Sequence, residues 1–207
     1  MIDISTFFQT EPFAELVTRH VHLDAIRAAS CQVRIASTNW DTGELRVLEN
    51  KEITHSAVLA SAAIPGIFPT VDLDGNPYVD GGILLNTPLK PAIDAGADVI
   101  HVIALDPTLS RFAPGSKPST IDTLERLLCV AASSGLKTDL KLAKAVNKCV
   151  EQDSSKRRLR IHVYRPAGGN NGIFGMLDFS KESVAGWIAR GVDDARNHDC
   201  ARSGCVV

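Results

Sequence analysis

The residues best suited to chemistry fall between His55 and Gly82, in the run HSAVLASAAIPGIFPTVDLDGNPYVDGG. At its end Asp80 is followed at once by Gly81 and Gly82. A carboxylate at a strand end, beside glycines that permit positive φ and the close approach of another backbone or a substrate, is a common seat for a general base. The chemistry sets conditions on such a group. A free aspartate, with a pKa near 3.9, is a weak base, so its site must be partly desolvated to raise it. The serine hydroxyl it would activate must lie within hydrogen-bond reach. Backbone N–H groups must also meet the oxyanion, each worth about 3–4 kcal/mol. Two other readings of the same residues stay open. Asp80 would need no chemistry at all if it simply accepted hydrogen bonds from the turn that follows. Asp72, Asp74 and Asn76 alternate as in the first half of a calcium loop, but Pro77 stands where that loop needs glycine and Ile83 where it needs a bidentate glutamate.

Further candidates are weaker. Ser61 sits among small residues followed by Ile64-Pro65, without the strand-turn-helix elbow of a nucleophile, and reads as structural. His101 lies inside the apolar run Asp98–Leu105 and reads as a buried structural histidine. Gly168-Gly169-Asn170-Asn171-Gly172 has the composition of an oxyanion loop, but no serine elbow follows it, so it reads as a surface loop.

Four ordered motifs carry a family resemblance: Ala60-Ser61-Ala62-Ala63-Ile64-Pro65, Phe68-Pro69, Tyr78-Val79-Asp80-Gly81-Gly82 and Asn86-Thr87-Pro88. Together they resemble the catalytic-aspartate region of the patatin-like phospholipases, lipid acyl hydrolases that work with a Ser-Asp dyad. The resemblance extends more weakly from about Phe13 to Ala195. It implies an α/β fold, part of a three-layer α/β/α sandwich with a mixed or mainly parallel sheet, in one incomplete domain. It implies hydrolysis of acyl esters through an acyl-serine intermediate without a metal or other cofactor. Asp80 would be the base, and Gly81 and Gly82 would shape the turn that positions it. The partners implied are a lipid or acyl-ester substrate, met at a membrane surface, and an N-terminal half or another partner that covers the exposed edges. The departure from the family is the serine. No G-x-S-x-G occurs in the chain, which therefore reads as the second half of such a domain, without serine-dependent turnover by itself. The alternative is a non-catalytic remnant that docks lipid or protein.

The elements that must position Asp80 follow from pattern. Phe13, Leu16, Val17, Val21 and Ile26 fit one helix over Glu11–Ser30, with Pro12 at a tolerated early position. Cys31–Ser37 and Leu45–Leu48, around Asp41-Thr42-Gly43, read as a hairpin. Ser56–Ala63 reads as a tightly packed helix stopped by Pro65-Gly66. Val71–Leu73 and Tyr78–Val79 flank Asp74-Gly75, a favoured tight-turn pair. Downstream, the spacing predicts a short helix over Pro88–Ala95, a strand over Asp98–Leu105 covered on both faces, and a loop over Pro107–Pro118. A long helix from Thr120 broken near Gly135, a strand over Leu159–Tyr164 and a final helix capped by Ser180 complete the series. The β-α-β order points to an α/β layer fold. The tail of about 197–207 is expected to fray.

Composition bounds the rest. The chain has 207 residues, 44% of them hydrophobic, enough for a core of one domain. A net charge of −2, and no basic run beyond Lys156-Arg157-Arg158, gives no reason to expect a nucleic-acid partner. No apolar stretch is long enough to span a bilayer, and five cysteines without C-x-x-C predict free thiols in a reducing, cytoplasmic setting. Peripheral contact with membrane would use Ile64, Ile67 and Phe68, or Ile173, Phe174, Met176 and Leu177, residues that serve equally well as core.

Overall fold

The computed structural model describes residues 10–105, 117, 119–150, 157–166, 178 and 180–207. The loop over Pro107–Pro118 except residue 117, Lys156, the glycine-rich run at Gly168–Gly172 and the apolar run Ile173–Leu177 lie outside the described residues. The chain divides into two compact units, Met1–Asn86 and Thr87–Val207.

In the first unit, β1 (Arg34–Asn39) and β2 (Leu45–Glu49) form the expected hairpin, and β3 (Val71–Leu73) and β4 (Asn76–Asp80) form a second. The four strands make one sheet in the order β2-β1-β4-β3, antiparallel throughout. Both turns rest on backbone that few residues adopt. Gly43 sits at φ 70° in the first, and Asp74 and Gly75 at 57° and 80° in the second. The second pair is the left-handed combination that matches the twist of a two-residue hairpin. One face of the sheet is filled by Leu48, Leu73 and Tyr78, packed against Ala57 and Ala60 of α3 (His55–Ala60) and against Ile53.

Two helical expectations are corrected here. The single helix over Glu11–Ser30 is two, α1 (Glu11–His20) and α2 (Leu23–Ala28). Val21 and His22 leave helical geometry at ψ 103° and 92°, and the carbonyl of Val21 is met by Nε2 of His55 at 2.9 Å. A β-branched residue and a histidine are both poor helix formers, so a tertiary hydrogen bond suffices to open the chain there. Helix α3 ends at Ala60, short of Pro65: the Ser61 hydroxyl donates to the carbonyl of Val58, and Ala62 and Ala63 continue in tighter i→i−3 turns. The start is as the sequence suggests, with Thr54 accepting from the amide of Ala57.

The first unit closes with α4 (Gly82–Leu85), and the second opens with α5 (Leu89–Asp94), ended by Gly96 at φ 90°. β5 (Val99–Ile103) pairs in parallel with β6 (Arg160–Tyr164). The long helix α6 (Thr120–Val150) runs through Gly135 without a break. One glycine costs a helix about 1 kcal/mol, and here Leu136, Leu140 and Ala143 recover it by packing against Ile100, Val102, Ile161 and Val163. Asn147, on the same stripe, donates to the carbonyl of Leu159 at 2.7 Å and accepts from its amide at 2.9 Å.

Strand β5 is not covered on both faces. Ile100 and Val102 are buried, whereas Val99, His101 and Ile103 are exposed, so the apolar run alternates after all. His101 is accordingly an exposed residue, with Nδ1 at 3.1 Å from the Tyr164 hydroxyl, and not a buried one. Helix α7 (Lys181–Arg196) starts where Ser180 accepts from the amide of Ser183. The tail expected to fray is folded: α8 (Cys200–Ser203) is followed by Val206, which exchanges hydrogen bonds of 2.6 and 2.9 Å with Ile161 of β6. Cys205 and Val206 are buried, and that burial is what holds the tail in place.

The α/β class read from the sequence holds. Antiparallel and parallel pairing both occur, in separate sheets, and among the described residues the parallel pairing is confined to β5 and β6. None of the described helices is long and apolar enough to cross a membrane.

Candidate functional site

Asp80 is the last residue of β4, where the strand gives way to the turn into α4. Three backbone contacts fix it. Ser37 of β1 lies opposite it in register, its amide donates to the carbonyl of Ala63 at 2.9 Å, and its own carbonyl accepts from the Thr38 hydroxyl at 3.2 Å. Asp80 thus ties the segment after α3 to the centre of the sheet. The small-residue run at Ala60–Ala63 is what lets that segment approach so closely.

The two glycines do different work. Neither has positive φ; Gly81 is at φ −68°. The expectation that they supply unusual dihedrals is therefore replaced by close approach. A β-carbon on Gly81 would stand 2.5 Å from the carbonyl oxygen of Ala36 and 2.6 Å from its carbon, both main-chain atoms of β1. On Gly82 it would meet Oδ1 of Asp80 at 2.9 Å and Oδ1 of Asn86 at 3.3 Å. Gly81 therefore admits the neighbouring strand, and Gly82 admits the aspartate's own side chain.

That side chain is half-buried and accepts a 2.6 Å hydrogen bond from the amide of Gly82. Two influences oppose one another. Burial pushes the Asp80 carboxyl above the ordinary aspartate range, the Gly82 amide pulls it down, and burial wins. Partial desolvation, the condition required of a carboxylate base, is thus met, and so is the turn-capping role of the bland reading. The two coexist in one geometry.

The other sequence candidates are not brought to this point as reactive groups. Ser61 spends its hydroxyl proton on the Val58 carbonyl at 2.8 Å. Asp72 accepts from the amide of Gly75, and Asp74 pairs with Arg46 at 2.8 Å, so the would-be calcium residues are the fittings of a hairpin turn. Ile64, Ile67 and Phe68 are half-buried and lie outside the main cluster of the unit.

Sequence reasoning missed three features. Thr38 anchors the carbonyl of Asp80, and only strand register reveals it. Ser37 faces Asp80 across the pair, is 1% exposed, and its hydroxyl has no hydrogen-bond partner among the described residues. Opposed residues on an antiparallel pair point to the same face of the sheet, yet a hydroxyl this deeply buried cannot reach an acyl carbon. Ile83 and Leu84, directly after the glycines, are 44% and 51% exposed. They place apolar surface beside the carboxylate.

Residues 1–93 match the family model of the patatin-like phospholipases. The matched stretch is similar to that family over the whole of the antiparallel sheet, Asp80, Gly81 and Gly82, and it ends within α5. A patatin-like resemblance thus coincides with the unit that carries the half-buried carboxylate.

Proposed function

We propose that this chain supplies the aspartate half of a patatin-like lipid acyl hydrolase, with Asp80 as the general base. The observation that carries the proposal is the carboxylate itself: half-buried, raised above the ordinary range, and locked between β1 and the Gly81-Gly82 turn. In the reaction Asp80 takes the proton of a serine hydroxyl as its oxygen attacks the ester carbonyl. It then returns a proton to the leaving alcohol, and water hydrolyses the acyl-serine in the reverse sense. The serine is not one of those placed around Asp80, since Ser61 is engaged with its own helix and Ser37 is sealed in the sheet. A nucleophile carried by an elbow segment outside these residues completes the dyad.

A second reading has a specific observation behind it. Ile83 and Leu84 expose apolar side chains directly after the Gly81-Gly82 turn, an arrangement that suits docking on lipid without turnover. Hydrolysis of a short-chain p-nitrophenyl ester separates the two. The chain combined with a G-x-S-x-G segment of a patatin-like hydrolase should turn over the ester, and Asp80→Asn should abolish that turnover. Unchanged rates in the variant would reject Asp80 as the base and leave the docking reading.

A further inference from the structure

Four residues of the second unit meet where the C-terminal segment folds back on β6. His162 lies on the strand, His198 precedes α8, Cys200 opens it, and Cys205 follows it. One ligand atom from each lies within 4.8 Å of every other. Three sulfur–nitrogen separations are 3.5 Å: Cys200 Sγ to His162 Nδ1, Cys200 Sγ to His198 Nε2, and Cys205 Sγ to His198 Nε2. In a tetrahedron with zinc–sulfur bonds of about 2.3 Å and zinc–nitrogen bonds of about 2.0–2.1 Å, the sulfur–nitrogen edge is about 3.5 Å. Three of the six edges of such a site are therefore already at length, and the other three pairs lie within 4.8 Å.

We propose that His162, His198, Cys200 and Cys205 bind a zinc ion in a closed structural site that fastens the C-terminal segment to β6. Two thiolates with two imidazoles are the donor set of a borderline-soft cation that prefers tetrahedral geometry, and four protein ligands leave no position for water or substrate. As the ion enters, each thiol gives its proton to solvent. The two sulfur–zinc bonds then balance the ion's charge, and neither sulfur changes oxidation state.

The surroundings suit the same assignment. Ser203 Oγ lies 3.5 Å from Nδ1 of His198, where it can accept the proton on that nitrogen and leave Nε2 free to ligate. The amide of Val163 donates to Cys205 Sγ at 3.2 Å, which fixes the direction of that side chain. Gly204, at φ 76°, ends α8 and swings Cys205 back, and the Cys205 amide donates to the carbonyl of Cys200 at 3.1 Å. His101 stacks on His162 at 5.1 Å, and Tyr164 lies 4.4 Å from His198, so both imidazole ligands are held by a neighbouring ring. The remaining described thiols, Cys31 and Cys149, are exposed and stand apart from the cluster.

The test uses the full chain, purified with reductant, its zinc content measured, and then stripped and titrated with Co²⁺. The expected result is one zinc per chain, together with the intense visible d–d bands and sulfur-to-cobalt charge transfer of a tetrahedral two-sulfur, two-nitrogen site. Those bands should be lost in Cys200→Ser/Cys205→Ser and retained in Cys31→Ser/Cys149→Ser. Ser203→Ala should keep the spectrum but weaken the affinity roughly tenfold or more, an effect that reports on ligand orientation and not on folding. The proposal is overturned if reduced wild-type protein gives no tetrahedral cobalt spectrum, if the spectrum survives the Cys200/Cys205 double substitution, or if Cys200 and Cys205 are isolated as a disulfide from reductant-treated protein.

Discussion

Gly81→Ala should be among the most damaging single-atom-scale changes in the first unit. The added methyl would stand 2.5 Å from the Ala36 carbonyl oxygen. Carbon normally meets such an oxygen at about 3.3 Å or beyond, so the methyl is short by about 0.8 Å. The obstacle is main chain of β1, which is paired on both sides, to β2 and to β4. It cannot turn away as a side chain would. Relief requires β1 and β4 to part near Ser37 and Asp80, costing about 1–3 kcal/mol of packing and a further 1 kcal/mol or so for each ladder hydrogen bond stretched. A total of about 3 kcal/mol is expected, read as a lowered midpoint in urea with an unchanged slope. Gly82→Ala is the internal control. Its methyl meets side-chain atoms and no main chain, Oδ1 of Asp80 at 2.9 Å and Oδ1 of Asn86 at 3.3 Å, which yield more readily, so a cost of about 1 kcal/mol is expected. Gly81→Ala within about 0.5 kcal/mol of wild type, or costing less than Gly82→Ala, would refute the close-approach account of the two glycines.

Three further outcomes follow from the same geometry. Because burial raises the Asp80 pKa, the stability linked to that group is fully present below the unfolded value near 3.9 and is lost as pH rises through the raised folded value. Asp80→Asn should therefore be more stable than wild type at pH ~7, with the difference closing towards pH ~4, as paired urea titrations at the two pH values would measure. Asn147→Ala strands the buried amide and carbonyl of Leu159 and should cost about 2–5 kcal/mol in thermal or chemical denaturation. Thr54→Ala removes the hydroxyl that accepts from the Ala57 amide at the start of α3 and should cost about 1 kcal/mol in the same assay.

What the sequence made legible was local. The Asp74-Gly75 turn, the Thr42-Gly43 hairpin and the Ser180 cap each depend on a few adjacent residues with narrow backbone demands, and each stands where the pattern put it. What stayed hidden was set by partners far along the chain. The break after His20 is held by His55, the continuity of α6 past Gly135 by the two strands beneath it, and the exposure of His101 by packing on one face of β5 only. The site shows the same division. Asp80 and its glycines were evident as a motif, but the contact that makes Gly81 necessary comes from Ala36, and the anchor of its carbonyl from Thr38. The His-Cys cluster was illegible for a related reason. Its spacing, His198, Cys200 and Cys205, lacks a paired C-x-x-C, and the fourth member, His162, lies on a strand remote in sequence.

The central claim is that Asp80 is a carboxylate tuned as a base by partial burial against the pull of the Gly82 amide. The direct measurement is an NMR titration of the Asp80 carboxyl carbon, with the Gly82 amide proton as a second reporter of the 2.6 Å hydrogen bond. A midpoint above the free aspartate value near 3.9, with both signals moving together, is the predicted result. A midpoint at or below that value would contradict it, and would mean that the turn has won and Asp80 serves only to cap it.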